Sequence, residues 1–318
     1  MREAKMISIA AQIAKSKSSI ISHTQIAVKS GRMRSMNDIA IYECPTEIAG
    51  DFVVDAGKMA HAVKSCGDEF TVKHAKAGVT VSNGRFRSTI QTHDIDTYPW
   101  IENTDQMEEI TLPSDFIDIM KTMKSFINPA DVRAMLRGIN ISPDGVMAAS
   151  NGHTMITRKI ESRPASGLTI PHDAIDIISR IPGTIKNVQH SQRGMILKFS
   201  GDQELTIKLI DEKFPDVSRF IKSDPLPAIP ADMLESVTTL AGFGQQTFKT
   251  IQVRNGSMSI VDGNSTASID GFDLPDCAFN ADYFRTMLRI AENADFSTFP
   301  QTHWSGNGFN GVLMGIKI

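Results

Sequence analysis

A glycine directly precedes His153, and Asp131 lies upstream of it, so the first chemistry to weigh is hydrolysis through an aspartate–histidine pair. Such a mechanism needs a serine or cysteine beside the imidazole and an acid that orients it. No serine or cysteine with a plausible acid partner recurs around Gly152-His153, and a histidine in a turn is the simpler reading. Cys44, Cys66 and Cys277 stand far apart without C-x-x-C or Cys/His spacing, which predicts neither a disulfide framework nor a zinc site. Neither a phosphate loop nor a dinucleotide fingerprint occurs, so no cofactor is expected and any ATP use belongs to another protein. The sequon Asn264-Ser265-Thr266 reads as a surface turn. The chain is expected not to be an enzyme.

At 318 residues and 41% hydrophobic, the chain can build two or three cores. No apolar run approaches the roughly 20 residues needed to span a bilayer, and the first residues lack a signal-peptide core, so a cytoplasmic protein without a membrane partner is expected. Net charge is −3. Basic and acidic residues number 13 and 12 in residues 1–105, 15 and 15 in 106–224, and 5 and 9 in 225–318, so an overall acidic chain can still carry a local basic surface.

The three spans follow from an internal repeat whose unit is a whole domain. Phe52-Val-Val-Asp-Ala-Gly-Lys-Met-Ala aligns with Leu168-Thr-Ile-Pro-His-Asp-Ala-Ile-Asp at an offset of 116. Without a gap, Gly78-Val-Thr-Val then falls on Gly194-Met-Ile-Leu, and Tyr98-Pro99 on Phe214-Pro215. Leu112-Pro-Ser-Asp-Phe-Ile matches Ile229-Pro-Ala-Asp-Met-Leu at an offset of 117, which starts a third copy near Pro225.

Apolar spacing predicts two helices per copy. The first type carries Phe116, Ile117, Met120 and Met123, matched by Met233, Leu234, Val237 and Leu240. The second carries Met59, Ala62, Val63 and Cys66, then Ala174, Ile177, Ile178 and Ile181, then Phe284, Met287, Leu288 and Ala291. Period-two stretches ahead of Asn83-Gly84, Asp144-Gly145 and Asp262-Gly263 predict antiparallel hairpins. The expected class is α+β, with three repeated domains, each laying two helices on antiparallel sheet.

Several motifs in order carry a resemblance. Asp131-Val-Arg133-Ala-Met-Leu136-Arg-Gly138 precedes Ala148-Ala-Ser150-Asn151-Gly152-His153-Thr154-Met155, and Phe214-Pro215-Asp216-Val-Ser-Arg219-Phe220 follows. A terminal apolar segment, Val312-Leu-Met314-Gly315-Ile316-Lys317-Ile318, closes the chain. Together these resemble the second domain, the second linker and the terminus of the bacterial DNA polymerase III beta subunits, the sliding clamps. The chain departs from the family at Asn151, where an aspartate is usual, at Thr154, usually arginine, and at Gly315, usually proline. It is also shorter than usual members, which is compatible with a phage- or plasmid-borne relative.

The resemblance implies a homodimer of clamp domains, closed head to tail into a ring around duplex DNA, which tethers the replicative DNA polymerase and is opened by a clamp loader. It implies a partner-peptide pocket built from Leu136, Gly152, His153, Thr154, Met155, Pro215, Arg219, Phe220, Val312, Met314, Ile316 and Ile318. Alignment of Gly315–Ile318 with Thr206–Leu209 predicts that part of this terminal face is core. On the expected helices, Lys5, Lys15, Lys17, Lys58, Lys64, Lys121, Lys124, Arg180, Arg285 and Arg289 are candidates to face DNA. Acids in the first turns and bases in the last are also what the helix dipole favours, so this placement has a purely local explanation. Phe243, Gln245, Gln246 and Phe248 are the expected dimer edge of domain three. The competing reading is a repeated β-rich assembly protein, which accounts for the repeat but not for the ordered motifs.

Overall fold

The computed structural model describes residues 2–67, 69–100, 106–222, 225–244, 249–254, 257–261, 265–268 and 275–317. Three successive stretches run through one order of elements: a helix, four strands, a second helix, three strands. The first comprises α1 (Arg2–Ile13), β1 (Gln25–Lys29), β2 (Arg32–Met36), β3 (Ala40–Pro45), β4 (Phe52–Asp55), α2 (Ala56–Cys66), β5 (Thr71–Ala75), β6 (Gly78–Ser82) and β7 (Arg87–Ile90). Two short strands, β8 (Thr92–His93) and β9 (Glu108–Glu109), follow it. The second comprises α3 (Phe116–Lys124), β10 (Gly138–Ile141), β11 (Val146–Ser150), β12 (Thr154–Lys159), β13 (Leu168–Pro171), α4 (His172–Arg180), β14 (Ile185–His190), β15 (Gly194–Phe199) and β16 (Gln203–Lys208). The third comprises α5 (Met233–Phe243), β17 (Thr250–Arg254), β18 (Ser257–Ile260), β19 (Thr266–Ser268), β20 (Cys277–Asn280), α6 (Ala281–Leu288), β21 (Asn293–Asp295), β22 (Gln301–Gly306) and β23 (Phe309–Met314).

Pairing repeats as faithfully as order. The first four strands of each stretch lie as β4-β1-β2-β3, β13-β10-β11-β12 and β20-β17-β18-β19, and the last three form a meander, all antiparallel. One stretch joins the next by the same rule. β16 of the second pairs with β3 of the first, and β23 of the third pairs with β12 of the second. Among the described residues, β7 and β19 are the two positions of this rule left as sheet edges.

The chain divides into two compact units, Met1–Leu112 with Asp173–Asp211, and Pro113–His172 with Glu212–Ile318. The first holds the nine-stranded sheet β8-β4-β1-β2-β3-β16-β15-β14-β9 and the meander β5-β6-β7, with α1 packed on α2. At its β3–β16 seam the buried Tyr42 hydroxyl donates to Gln203 Oε1 at 2.7 Å, which satisfies a polar group that burial would otherwise penalise. The second holds the seven-stranded sheet β13-β10-β11-β12-β23-β22-β21 and the four-stranded β19-β18-β17-β20, with α5 packed on α6. Its β12–β23 seam is tied by Thr154 and Thr157, whose hydroxyls donate to the Val312 and Asn310 carbonyls at 3.1 and 3.2 Å.

Helical faces follow the expected periodicity with one adjustment. The second-helix set Met59, Ala62, Val63 and Cys66 is buried as predicted, as are Phe284, Met287 and Leu288. In α3 the buried set is Phe116, Ile119, Met120 and Met123, so Ile119 replaces the predicted Ile117, and in α5 Ala241 joins Met233, Val237 and Leu240 while Leu234 is only half-buried. The buried faces follow i, i+3, i+4, i+7 in α3 and i, i+4, i+7, i+8 in α5, each a single stripe at the helical period. No helix of the described residues is long and apolar enough to cross a membrane.

Candidate functional site

The Asp131 segment and the Gly152-His153 turn are held together by one arginine. Arg133 donates from Nε and Nη2 to the two oxygens of Asp131, both at 2.9 Å, and its backbone N–H reaches Oδ1 at 2.9 Å. These bonds, the side-chain pair first, lower the Asp131 carboxyl to about 2. Arg133 Nη2 also reaches the Asn151 carbonyl at 3.5 Å. Gly152 has φ +84°, and a Cβ there would sit 2.6 Å from Arg133 Nη2, so this turn requires glycine for both conformation and space. Asp131 is therefore committed to Arg133, not to His153 as a hydrolytic pair would require. Burial pushes the Cys44 and Cys277 thiols up to about 12, which removes them as nucleophiles at neutral pH.

The three departures from the family pattern each have a physical account. Asn151 Oδ1 accepts from the backbone N–H of His153 and Thr154, both at 2.9 Å, the task an aspartate would do there. Thr154 is buried and spends its hydroxyl on the β12–β23 seam, so a short side chain suits the position. Gly315 donates its N–H to the Pro300 carbonyl at 2.7 Å, a bond proline cannot make, and a Cβ there would sit 2.1 Å from the Phe299 ring.

Within the second unit some of the expected pocket residues meet. Leu136 and Phe214 pack with Ala148 as a buried cluster, with Met135 and Val217 against it. Met155 pairs with Val312 across the β12–β23 ladder, and both are buried. Met314 donates its N–H to the His153 carbonyl at 2.8 Å, which brings the end of β23 to the turn. Gly152, His153, Pro215, Arg219 and Ile316 are exposed, and Phe220 and Met314 are half-buried. Arg219 lies over the Phe220 ring at 4.7 Å. Buried Leu136, Phe214, Met155 and Val312 thus share the second unit with the exposed Gly152, His153, Pro215, Arg219 and Ile316.

Some contributors escaped the sequence reading. Tyr283 of α6 stacks on His153 at 5.8 Å and 15°, and its position far along the chain gave no signal. His303 is buried in β22 opposite Val312, and burial is the first cause that lowers its pKa. The terminal segment is also corrected: β23 ends at Met314 where β16 ends at Lys208, so the true offset is 106 and Ile316 lies beyond the ladder, 38% exposed. Its N–H instead donates to the Ala278 carbonyl at 2.7 Å. Ile318 lies outside the described residues.

The first stretch carries the equivalent face with different side chains. From the ladders, Ala27, Arg34 and Glu43 correspond to Asn140, Ala148 and Thr157. Arg34 lies 4.1 Å over the Trp100 ring and pairs with Glu43 at 2.6 Å. Ala27, Met36, Val53 and Tyr98 pack beside it as a cluster. The first stretch thus carries a stacked, paired arginine on the rung where the second carries a buried alanine.

The expected DNA-facing bases separate on inspection. Lys5, Lys58 and Lys64 are exposed on α1 and α2. Lys15 and Lys17 are not helical as expected, since α1 ends at Ile13, and Lys15 pairs with Asp38. Lys121 pairs with Asp118 at 3.4 Å, and Arg285 with Asp282 at 2.8 Å, each one helical turn away. Lys124 and Arg180 end α3 and α4, and Arg289 caps α6. Phe243, expected at a dimer edge, is the last residue of α5 and 59% exposed, and β19 and β20 are the outer strands of that sheet. Gln245, Gln246 and Phe248 lie outside the described residues.

Comparison with known proteins places this geometry. No protein-family model matches the sequence. The beta sliding clamp of Proteus mirabilis is 22% identical over 213 residues, which cover 62% of this chain and 58% of that relative's length. The DNA polymerase sliding clamp of Caulobacter crescentus superposes with a TM-score of 0.83 at 17% identity, covering 99% of this chain and 97% of that one. The DNA polymerase III subunit beta of Pseudomonas aeruginosa gives 0.81 at 17%, with the same coverage, and the Bacillus subtilis clamp gives 0.82 at 14%, covering 100% and 97%. Repeat order, strand-joining rule and whole-chain superposition agree: this chain has the fold of the bacterial sliding clamps, the DNA polymerase III beta subunits.

Proposed function

We propose that this chain is a sliding DNA clamp, a non-enzymatic processivity factor of the cytoplasm that encircles duplex DNA and tethers a replicative DNA polymerase. The observation that carries the reading is the pair of unused edges. Within the chain the last strand of one stretch always pairs with the third strand of the stretch before it. By that rule β7 of the first needs a β19 from outside, and the β19 of a second copy supplies it. Two copies then close head to tail with neither position of this rule left unpaired, each contributing three domains, 1–105, 106–224 and 225–318. The contact is heterologous, so closure gives a discrete dimer and failure to close gives filaments.

Topological enclosure lets weak, sequence-independent phosphate contacts suffice for retention while permitting sliding. The pocket around Leu136, Phe214 and Met155 takes the anchoring peptide of the polymerase, and of a clamp loader that competes for it and supplies the ATP chemistry. Light scattering tests closure: a single species of two chains supports it, and a monomer or a growing filament favours the assembly reading instead.

A further inference from the structure

The helices of the three stretches are topologically equivalent, yet their exposed faces differ in charge. On α1 the exposed positions include Arg2, Lys5, Ser8 and Gln12, and on α2 they include Lys58, His61, Lys64 and Ser65. Both runs follow helical spacing, so each forms one stripe. Arg2, Lys5, Ser8, His61 and Lys64 line a common groove between the two helices. Neither stripe carries an exposed carboxylate: Glu3 of α1 is half-buried and accepts from the Thr46 hydroxyl. Asp55, before α2, accepts from the Lys58 backbone N–H at 2.7 Å.

The equivalent pair in the third stretch is the reverse. α5 contains no base, and its exposed positions include Glu235, with Asp232 before its first turn. On α6, Arg285 is neutralised by Asp282, which leaves Arg289 at the cap. The second stretch lies between these extremes, with Asp118 beside Lys121 on α3 and Asp173 and Asp176 ahead of Arg180 on α4. Since phosphate attraction scales with the bases that replace counterions, the three helix pairs cannot contribute equally.

Resting on the clamp reading above, we infer that this chain grips DNA phosphates through the α1–α2 groove of its first stretch, and that α5 and α6 of the third are bystanders. The closed dimer therefore has two strong phosphate tracks, one per copy, and DNA rides against them. Full-length dimer is titrated against a fluorescent duplex oligonucleotide across a range of salt, comparing the parent with Lys5→Gln/Lys58→Gln/Lys64→Gln and with Arg285→Gln/Arg289→Gln. Each lost phosphate contact lowers the slope of log K against log salt by about 0.9. The triple variant is expected to lower it by at least about two, and the double by less than about 0.5. Equal losses, or a larger loss in the double, overturn the inference. Retention of the parent on nicked circular DNA, measured in parallel, reports on the clamp reading separately: a parent that is not retained refutes that reading, whatever the slopes. Circular dichroism and light scattering on both variants confirm that folding and dimer formation are unchanged.

Discussion

Arg34 and Ala148 occupy the same rung in equivalent sheets of the first and second stretches, so one face carries a guanidinium where the other carries a methyl group. Arg34 stacks on Trp100 and pairs with Glu43, whereas Ala148 is buried between Leu136 and Phe214.

Enlarging Ala148 should disturb the proposed peptide pocket. Ala148→Leu places extra carbons against Leu136 and Phe214 at an overpacking cost of about 1–3 kcal/mol. We expect a polymerase-derived peptide with two adjacent large apolar side chains to bind at least about tenfold more weakly, or about 1.4 kcal/mol, as read by calorimetry. Arg34→Ala should leave that affinity unchanged. Equal affinities of parent and Ala148→Leu would move the site elsewhere.

His153 of the proposed pocket stacks on Tyr283. Such a pair contributes about 0.5–1.5 kcal/mol, so Tyr283→Ala should weaken peptide binding by roughly two- to tenfold through the loss of His153 orientation. His153→Ala and the double variant should then cost little more than either single change. Additive losses would show that the two rings act independently.

Gly152→Ala should destabilise the fold by about 1–3 kcal/mol, because it forces a strained left-handed residue into Arg133. Urea unfolding monitored by circular dichroism measures this. An unchanged midpoint would mean that the turn relaxes away from Arg133.

Asp131 gives a pH signature. Its folded carboxyl is held at about 2 by Arg133, below the ordinary carboxylate value of 3.8, so its stabilising contribution is present above that ordinary value and is lost as pH falls toward 2. Asp131→Asn should cost about 1–3 kcal/mol at pH 7. The gap between parent and variant should hold down to about pH 4 and narrow below it. A gap that persists unchanged at pH 2.5 would place the stabilisation in hydrogen bonding alone.

Much of this was legible in the sequence. The 116-residue offset correctly placed β4 on β13 and β6 on β15, because a buried strand leading into a helix leaves a strong apolar pattern. The Asp131-to-Thr154 motifs were legible for the same reason: an arginine fork and a positive-φ glycine admit few substitutes. What escaped was contact between distant segments. Tyr283 meets His153 only after the second and third stretches have assembled, and Arg34 meets Trp100 only once the segment after the first stretch folds back on β2. The terminal offset misled because Ile316 and Lys317 repeat the residue types of Ile207 and Lys208 without continuing the ladder. Lys15 and Lys17 misled because an amphipathic pattern does not announce where α1 stops.

The most direct test of the clamp reading is retention on DNA. The dimer, loaded on nicked circular DNA, is separated from free protein before and after the circle is cut once. Retention on the circle followed by release on linearisation is the result expected of a ring that holds DNA by enclosure, and equal retention on both forms would contradict it.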